Sequence, residues 1–314
     1  MDASVVICTF NRCGSLRMTL DGLEQMRIDP DTEWEVVVVD NNSTDATRST
    51  VKEAGAGFPC KLRYAFEGKQ GLSHARNRGI EVARGRILAF TDDDVAVDRC
   101  WLGNILSEFA EGEVACIGGK ILPIWEEPPP FWLGGDLLNI LALQDLGDRR
   151  IRLDAPVVWG ANLSFRSSVF RKHGLFETGL GNTGGKLYGG EETKFVGQLL
   201  ERGENVLYCP NVLVHHRIPG ARLKKSYFRK WFYDKGELAA IQMGEYQARN
   251  LRGIPLYLIR EAGEDLARYL GKQLASPRLA FREQLAAIHS FGMIAGRWKY
   301  RSVRMRPLKP SDAV

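Results

Sequence analysis

Two hydrophobic periods alternate along the first hundred residues. Ser4–Phe10 is a short apolar, β-branched run, and Ser15–Arg27 follows with Leu16, Leu20, Leu23 and Met26 at helical spacing. Glu35–Val39 is a continuous valine run ending in Asp40-Asn41-Asn42-Ser43-Thr44-Asp45. Those small polar residues suit a turn and the cap of a helix over Asp45–Ala54. Leu62–Phe66 and Arg86–Phe90 predict a third and a fourth strand with a helix over Gly71–Ala83 between them, and Thr91-Asp92-Asp93-Asp94 follows the fourth strand at once. Continuous apolar strands separated by helices predict an α/β fold whose parallel sheet is covered on both faces.

The pattern then loosens. Glu126–Pro130 is a proline-rich break, Leu133–Leu146 is weakly helical, and Pro156–Phe165 predicts a strand containing Trp159-Gly160-Ala161-Asn162. Gly179–Gly190 holds six glycines in twelve residues and predicts a mobile loop. A helix over Glu191–Arg202 and strands over Val206–Cys209 and Val212–His216 follow. From about Pro219 the chain turns to helices rich in Arg, Lys and aromatic residues, over Leu223–Ala239, Leu256–Leu270 and Ala280–Ile294.

Charge sharpens that division. The net charge is +5, yet residues 221–314 carry 19 Lys/Arg against 8 Asp/Glu, and the remainder carries 24 against 30. An acidic front and a basic tail predict two regions, 1–220 and 221–314, with different partners. The six cysteines show no C-x-x-C spacing, which argues against a zinc site or disulfide framework and for a reduced, cytoplasmic setting. No basic leader precedes the first strand, and no apolar stretch approaches the length that spans a bilayer.

The chemistry concentrates at strand ends. Ligands of open α/β sheets bind outside the carboxyl ends of the strands, where Asp92-Asp93-Asp94 stands. Three adjacent carboxylates repel one another, and a hard divalent cation, Mn²⁺ or Mg²⁺, suits oxygen ligands. A helix-capping turn is the plain alternative, and a phosphatase-type pair with Asp92 as nucleophile is another. Asp40 ends the second strand, where a carboxylate can accept hydrogen bonds from a base or ribose. Gly71–Gly79 carries Arg76, a residue type suited to phosphate. Glu191-Glu192 opens a predicted helix, whose N-terminus favours ionised carboxylates.

Together these segments resemble the family 2 glycosyltransferases, which have the nucleotide-sugar-binding GT-A fold. The resemblance rests on Val5–Arg12, Val36–Asp45, Gly71–Gly79, Phe90–Asp94, Trp159–Arg166 and Gly190–Thr193, in the family's order and spacing across about residues 3–220. It implies a GT-A catalytic domain over 1–220 with a helical extension over 221–314. It also implies an inverting, metal-dependent transfer of a hexosyl group from a nucleoside-diphosphate donor (UDP is the common choice) to a glycan or lipid-linked acceptor.

Carried over residue by residue, Thr9, Asn11, Arg12, Asp40 and Asn42 would line the base and ribose pocket, with Arg76 and Asn77 near the diphosphate or sugar. Asp92 and Asp93 would face the nucleotide sugar. Asp94, with Asp93 as the alternative, would hold Mn²⁺ or Mg²⁺, helped by His215 or His216. Glu192, where the family usually has Asp, would be the general base, with Glu191 as the alternative. Trp159 and Asn162 would lie on the acceptor side.

The segment from Lys224 to Tyr233 mixes basic and aromatic residues, as an interfacial helix at the inner face of an anionic membrane would. Arg229-Lys230-Trp231 also resembles the acceptor-binding segment of processive synthases, which places Trp231 among the acceptor residues. No nucleic-acid-binding module accompanies the charge. A nucleotidyltransferase would need a phosphate loop that Cys8–Ser15 lacks, and the remaining alternative is an inactive relative that only binds sugar nucleotide or a partner protein.

Overall fold

The computed structural model describes residues 1–182, 184–243 and 249–300. The chain forms two compact units. The first comprises Met1–Pro129, Leu133–Gly185 and Gly189–Gly220, and the second comprises Pro130–Trp132, Lys186–Tyr188 and the chain from Ala221 onward. Two short segments from before residue 220, Pro130–Trp132 and Lys186–Tyr188, thus group with the C-terminal helices.

The first unit opens with β1 (Ala3–Thr9), α1 (Cys13–Glu24), β2 (Trp34–Asp40), α2 (Thr47–Ala54), β3 (Lys61–Phe66), α3 (Leu72–Val82) and β4 (Ile87–Asp92). β5 (Val95–Val97), α4 (Trp101–Ala110), β6 (Cys116–Trp125), β7 (Ile151–Arg152), β8 (Asn162–Arg166), α5 (Ser168–His173), α6 (Glu191–Glu201) and β9 (Val206–Ile218) complete it. The strand order is β3-β2-β1-β4-β8-β6-β9-β5, with β7 also paired to β9. β3, β2, β1 and β4 run parallel, and β8 pairs antiparallel to both β4 and β6, so the sheet is mixed. All seven residues of β2 are buried, as a central strand between two helical layers requires.

Several sequence expectations shift for identifiable reasons. The two strands read over Val206–His216 are one strand whose pairing with β6 slips between Gly119 and Lys120, opposite Pro210. Proline has no N–H for the ladder, and the strand bulges past it. β6 itself escapes a reading by propensity because Gly118, Gly119 and Pro123 interrupt its apolar pattern. The strand read over Pro156–Phe165 begins only at Asn162, whose N–H bonds the Trp159 carbonyl at 3.0 Å and closes a turn. The weak helix after Leu133 is a 3₁₀ segment over Gly135–Leu141.

Beneath the sheet, Phe90, Phe165, Phe170, Phe176 and Phe195 form a cluster with ring centroids 5.0–6.4 Å apart, mostly edge-to-face, with Phe170 and Phe195 stacked at 5.2 Å. Each such pair stabilises by about 0.5–1.5 kcal/mol beyond its buried area. Phe195, Val196 and Leu199 are the buried stripe of α6, and they seat the helix one turn beyond Glu191 and Glu192. The core therefore fixes where the two glutamates stand.

The second unit contains α7 (Lys225–Gln242), the short hairpin of β10 (Asn250–Leu251) and β11 (Ile254–Pro255), α8 (Leu256–Ala275) and α9 (Phe281–Tyr300). Trp132 packs between Phe228 and Phe281 at 5.2 and 4.8 Å. Part of the aromatic pattern read as a membrane-facing stripe is therefore interior packing. Among the described residues, no helix is long and apolar enough to cross a membrane.

Candidate active site

The site is assembled at the carboxyl edge of the sheet in the first unit. Parallel pairing sets Thr9 beside Asp40, and Cys8 beside Asp92. The loops after β1 and β2 are stitched together. Asn11 N–H donates to Ser43 Oγ at 2.9 Å, Asn11 Oδ1 accepts from Thr44 N–H at 2.7 Å, and Cys13 N–H donates to Asp45 at 2.9 Å. Burial would raise the Asp45 carboxyl, but hydrogen bonds from Thr47 and Cys13 outweigh it and hold it at about 2. Asp40 accepts from Ser43 N–H at 2.8 Å and from Tyr64 Oη at 2.7 Å, and Asn42 takes the left-handed turn at φ 66°. Asp40, Asn42 and Asn11 thus shape this rim through the backbone they hold.

The three aspartates diverge. Asp93 is buried and accepts from Thr9 Oγ1 at 2.7 Å and from Arg12 Nη1 at 2.9 Å. Burial pushes its carboxyl up to about 6 against the pull of the Arg12 charge. Asp94 meets Arg12 Nη1 at 2.8 Å through Oδ2 and His216 Nε2 at 3.1 Å through Oδ1. Asp92 lies 3.8 Å from Arg76 Nη2. Asp93 thus braces the loop after β1, Asp94 joins that loop to β9, and Asp92 lies toward Arg76.

His215 and His216 are consecutive residues of β9, so they point to opposite faces, and His216 is the buried one. Its Nδ1 lies 2.8 Å from the Leu141 carbonyl, which can only accept, so Nδ1 carries a proton. On the other side of the ring, Nε2 faces Asp94 Oδ1 at 3.1 Å, so the imidazole is held between a backbone carbonyl and a carboxylate. Leu141 has no side-chain signal that a sequence reading could have used.

Arg76 departs most from its sequence reading. Its side chain is only 4% exposed, hydrogen-bonded through Nη1 to Glu191 Oε1 and 3.6 Å from Glu192 Oε2, with Phe176 beneath it. Three carboxylates outweigh the burial of the guanidinium and keep it charged. Arg76 is therefore the counter-charge of the glutamate pair. Glu191 is 1% exposed, and burial together with the neighbouring Glu192 pushes its carboxyl up to about 8 against the pull of Arg76. Glu192 is 7% exposed, and its buried Oε2 has no hydrogen-bond partner among the described residues.

Two residues read into the site lie inside the fold. Asn77 exchanges hydrogen bonds with the Phe176 backbone at 2.8 and 3.0 Å. Asn162 gives both amide protons, to the carbonyls of Lys120 at 2.9 Å and Val212 at 2.8 Å, and accepts from Trp101 Nε1 at 2.9 Å. Short polar side chains at motif positions cannot be divided by sequence into ligand-facing and fold-bracing. Trp159 is half-buried next to Gly160, and Trp231 lies in the second unit with Lys235 Nζ 5.2 Å above its ring.

Gly160 is the residue whose role the sequence reading missed. A Cβ there would stand 1.7 Å from Arg76 Nη2. The guanidinium is held between Phe176 and the carboxylates and cannot swing aside. Gly160→Ala is expected to cost about 1–3 kcal/mol of stability, as overpacking does, and to lower turnover in the protein that remains folded. Denaturant unfolding and a transfer assay on the same preparation check both. The Gly-rich segment is also less free than predicted at its start, where Ser73 Oγ holds the Leu180 carbonyl at 2.8 Å and Leu72 N–H the Asn182 carbonyl at 3.1 Å.

Comparison with known proteins bears on the fold and the family. The chain is 24% identical over 306 residues to the glucosyl-dolichyl phosphate glucuronosyltransferase of Haloferax volcanii, covering 94% of each. Its fold matches that of the mannosyltransferase PcManGT from Pyrobaculum calidifontis, solved in complex with GDP-Man and Mn²⁺, with a TM-score of 0.62 at 18% identity, covering 95% of this chain and 87% of that one. It also matches S. aureus TarS 1-349 in complex with UDP, with a TM-score of 0.52 at 16% identity, covering 96% and 91%. These neighbours establish a GT-A fold. The family model described as glycosyl transferase family 2 matches residues 4–174, more than half of the chain, and the chain belongs to that family of transferases.

Proposed function

We propose that this protein is a metal-dependent, inverting glycosyltransferase that moves a sugar from a nucleoside-diphosphate donor to a glycan or lipid-linked acceptor. The observation that carries the reading is the pairing, at one sheet edge, of an Asp94–His216 donor set with an Arg76-clamped glutamate pair. The haloarchaeal relative is named for a dolichyl-phosphate-linked sugar, which supports the acceptor class. The solved neighbours hold a nucleotide or nucleotide sugar, one of them with Mn²⁺.

The residues present fit a hard divalent cation. Asp94 Oδ1 and His216 Nε2 lie 3.1 Å apart and can converge on one ion. Among the described residues no third His, Cys, Asp or Glu completes a closed cage. Mn²⁺ and Mg²⁺ are often held by one or two protein ligands plus substrate phosphate oxygens. When bound there, the ion would neutralise charge gathering on the departing nucleoside diphosphate. Asp92, beside Arg76, faces the donor sugar or ribose.

Glu192 is the general base. It stands in the first turn of α6 with Oε2 3.6 Å from Arg76 Nη1. A buried carboxylate oxygen without a partner calls for one, and the acceptor hydroxyl supplies it. Glu191 bonds Arg76 directly and keeps that cation in place. Attack from the Glu192 side, with departure on the Asp94 side, inverts the anomeric centre. The basic residues beyond 221 favour an anionic membrane surface at the cytoplasmic face, where a lipid-linked acceptor would be met.

A panel of UDP- and GDP-sugars with Mn²⁺ or Mg²⁺, scored by thermal shift and by release of nucleoside diphosphate, tests the reading. A true donor raises the melting temperature by mass action. Silence from every nucleotide, with either metal, would overturn it.

A further inference from the structure

The two faces of α8 meet different surroundings. Leu258, Ala262 and Asp265 are its buried side. That side is tied to α9, where Ser290 Oγ donates to Asp265 and Gln284 Nε2 donates to Tyr269 Oη at 2.9 Å. On the opposite side Leu256, Ile259, Leu266, Leu270 and Leu274 stand at helical spacing and form one exposed stripe. Leu270 is 51% and Leu274 87% exposed. Gly263 lies in the middle of the stripe, and a Cβ built there would meet no atom within 4 Å. The stripe is therefore open along a helix of 20 residues, about 30 Å long.

Single exposed leucines are ordinary, but a contiguous apolar stripe marks a surface that a partner covers. The charges around it select the partner. α8 itself is balanced, with Arg260, Arg268 and Lys272 against Glu261, Glu264 and Asp265. Arg260 lies 3.6 Å from Glu264, and Arg268 pairs with Asp265. The surplus charge lies at the two ends. Arg249 and Arg252 precede the helix beside the exposed Leu251, and Arg278 and Arg282 follow it beside the exposed Leu279. No acid stands in 249–256 or in 276–282. A second copy laid along the stripe, parallel or antiparallel, would set arginine pair against arginine pair, and like charges repel. An anionic lipid surface meets both ends with the opposite charge. Among the described residues no helix can cross a membrane, so the fitting geometry is a helix lying in the interfacial plane.

We propose that α8 is a membrane-docking element: the stripe from Leu256 to Leu274 beds into the headgroup–acyl boundary of an anionic bilayer, and the arginines at both ends hold lipid phosphates. The membrane-facing surface thereby moves from α7, where the sequence pattern predicts it, to α8. Phe228 of α7 is interior, whereas the α8 leucines are exposed. The proposal rests on the reading above that the acceptor is met at an anionic membrane surface.

The test sediments the full chain with vesicles of equal parts phosphatidylglycerol and phosphatidylcholine, and with vesicles of phosphatidylcholine alone. Sedimentation velocity without lipid gives the oligomeric state. The wild type should bind the mixed vesicles, bind the neutral ones far more weakly, and run as a monomer. Leu270→Gln with Leu274→Gln should weaken binding to mixed vesicles by at least about tenfold, the loss expected from buried leucine surface. Arg252→Gln with Arg278→Gln should weaken it by about tenfold or more, since each basic residue near an anionic surface contributes about fivefold. Both pairs replace exposed side chains, and either one tests the claim if the other lowers the melting temperature. Wild-type affinity in a folded double variant would overturn the assignment to α8 and leave the membrane reading standing. Failure of the wild type to bind the mixed vesicles would overturn the membrane reading and the docking role with it. Equal binding to both kinds of vesicle would contradict the part given to the arginines. A wild-type dimer dissolved by Leu270→Gln with Leu274→Gln would show that a second copy covers the stripe, and would overturn the proposal.

Discussion

Glu192→Gln is expected to lower kcat by about a thousandfold, within the range that a positioned general base supplies, and to leave donor affinity unchanged. The substitution keeps the volume and the 3.6 Å approach to Arg76 but removes the lone pair that would accept the acceptor's proton. Glu191→Gln is the informative companion. Glu191 is bonded to Arg76 and held toward its protonated form, so its amide leaves a base in the site and the loss should be clearly smaller. Steady-state kinetics with the responsive donor check both. The opposite ranking would exchange the two roles.

Asp94→Asn should weaken metal-dependent donor binding by roughly 100-fold, a loss at the upper end of that seen when support of a metal ligand is removed, and turnover should fall with it. An amide cannot match a carboxylate on a hard cation, and His216 then faces the ion with no anionic companion. Asp93→Asn should behave differently. Asp93 is committed to Thr9 and Arg12, so its loss should lower thermal stability more than metal affinity. Two neighbouring aspartates with opposite failure modes are what the diverging geometry demands. Equal loss of metal affinity in both variants would contradict it.

The parallel half of the sheet was legible because its strands are nearly uninterrupted apolar runs whose ends carry polar turns, as the Glu35–Val39 run shows. β6 was not, because Gly118, Gly119 and Pro123 serve its packing and its bulge at the expense of any periodic signal. In the site, residue types and order were readable, and orientations were not. Asp92, Asp93 and Asp94 are identical letters, and only the partners on β1 and β9 separate them. Asn77 and Asn162 stand at motif positions yet brace backbone from elsewhere in the chain. The Arg76–Glu191 pair joins residues 115 positions apart, and Gly160 matters only because that pair leaves no room beside it. Such pairings belong to the three-dimensional arrangement, which no local pattern encodes.

The central claim is that Asp94 and His216 mark a metal-linked nucleotide site, and calorimetry tests it most directly. The nucleoside diphosphate of the responsive donor is titrated into the wild-type protein with Mn²⁺, with excess chelator, and into Asp94→Asn with Mn²⁺. The structure predicts clear binding in the first case and loss of it in the other two. Equal affinity in all three would contradict the account.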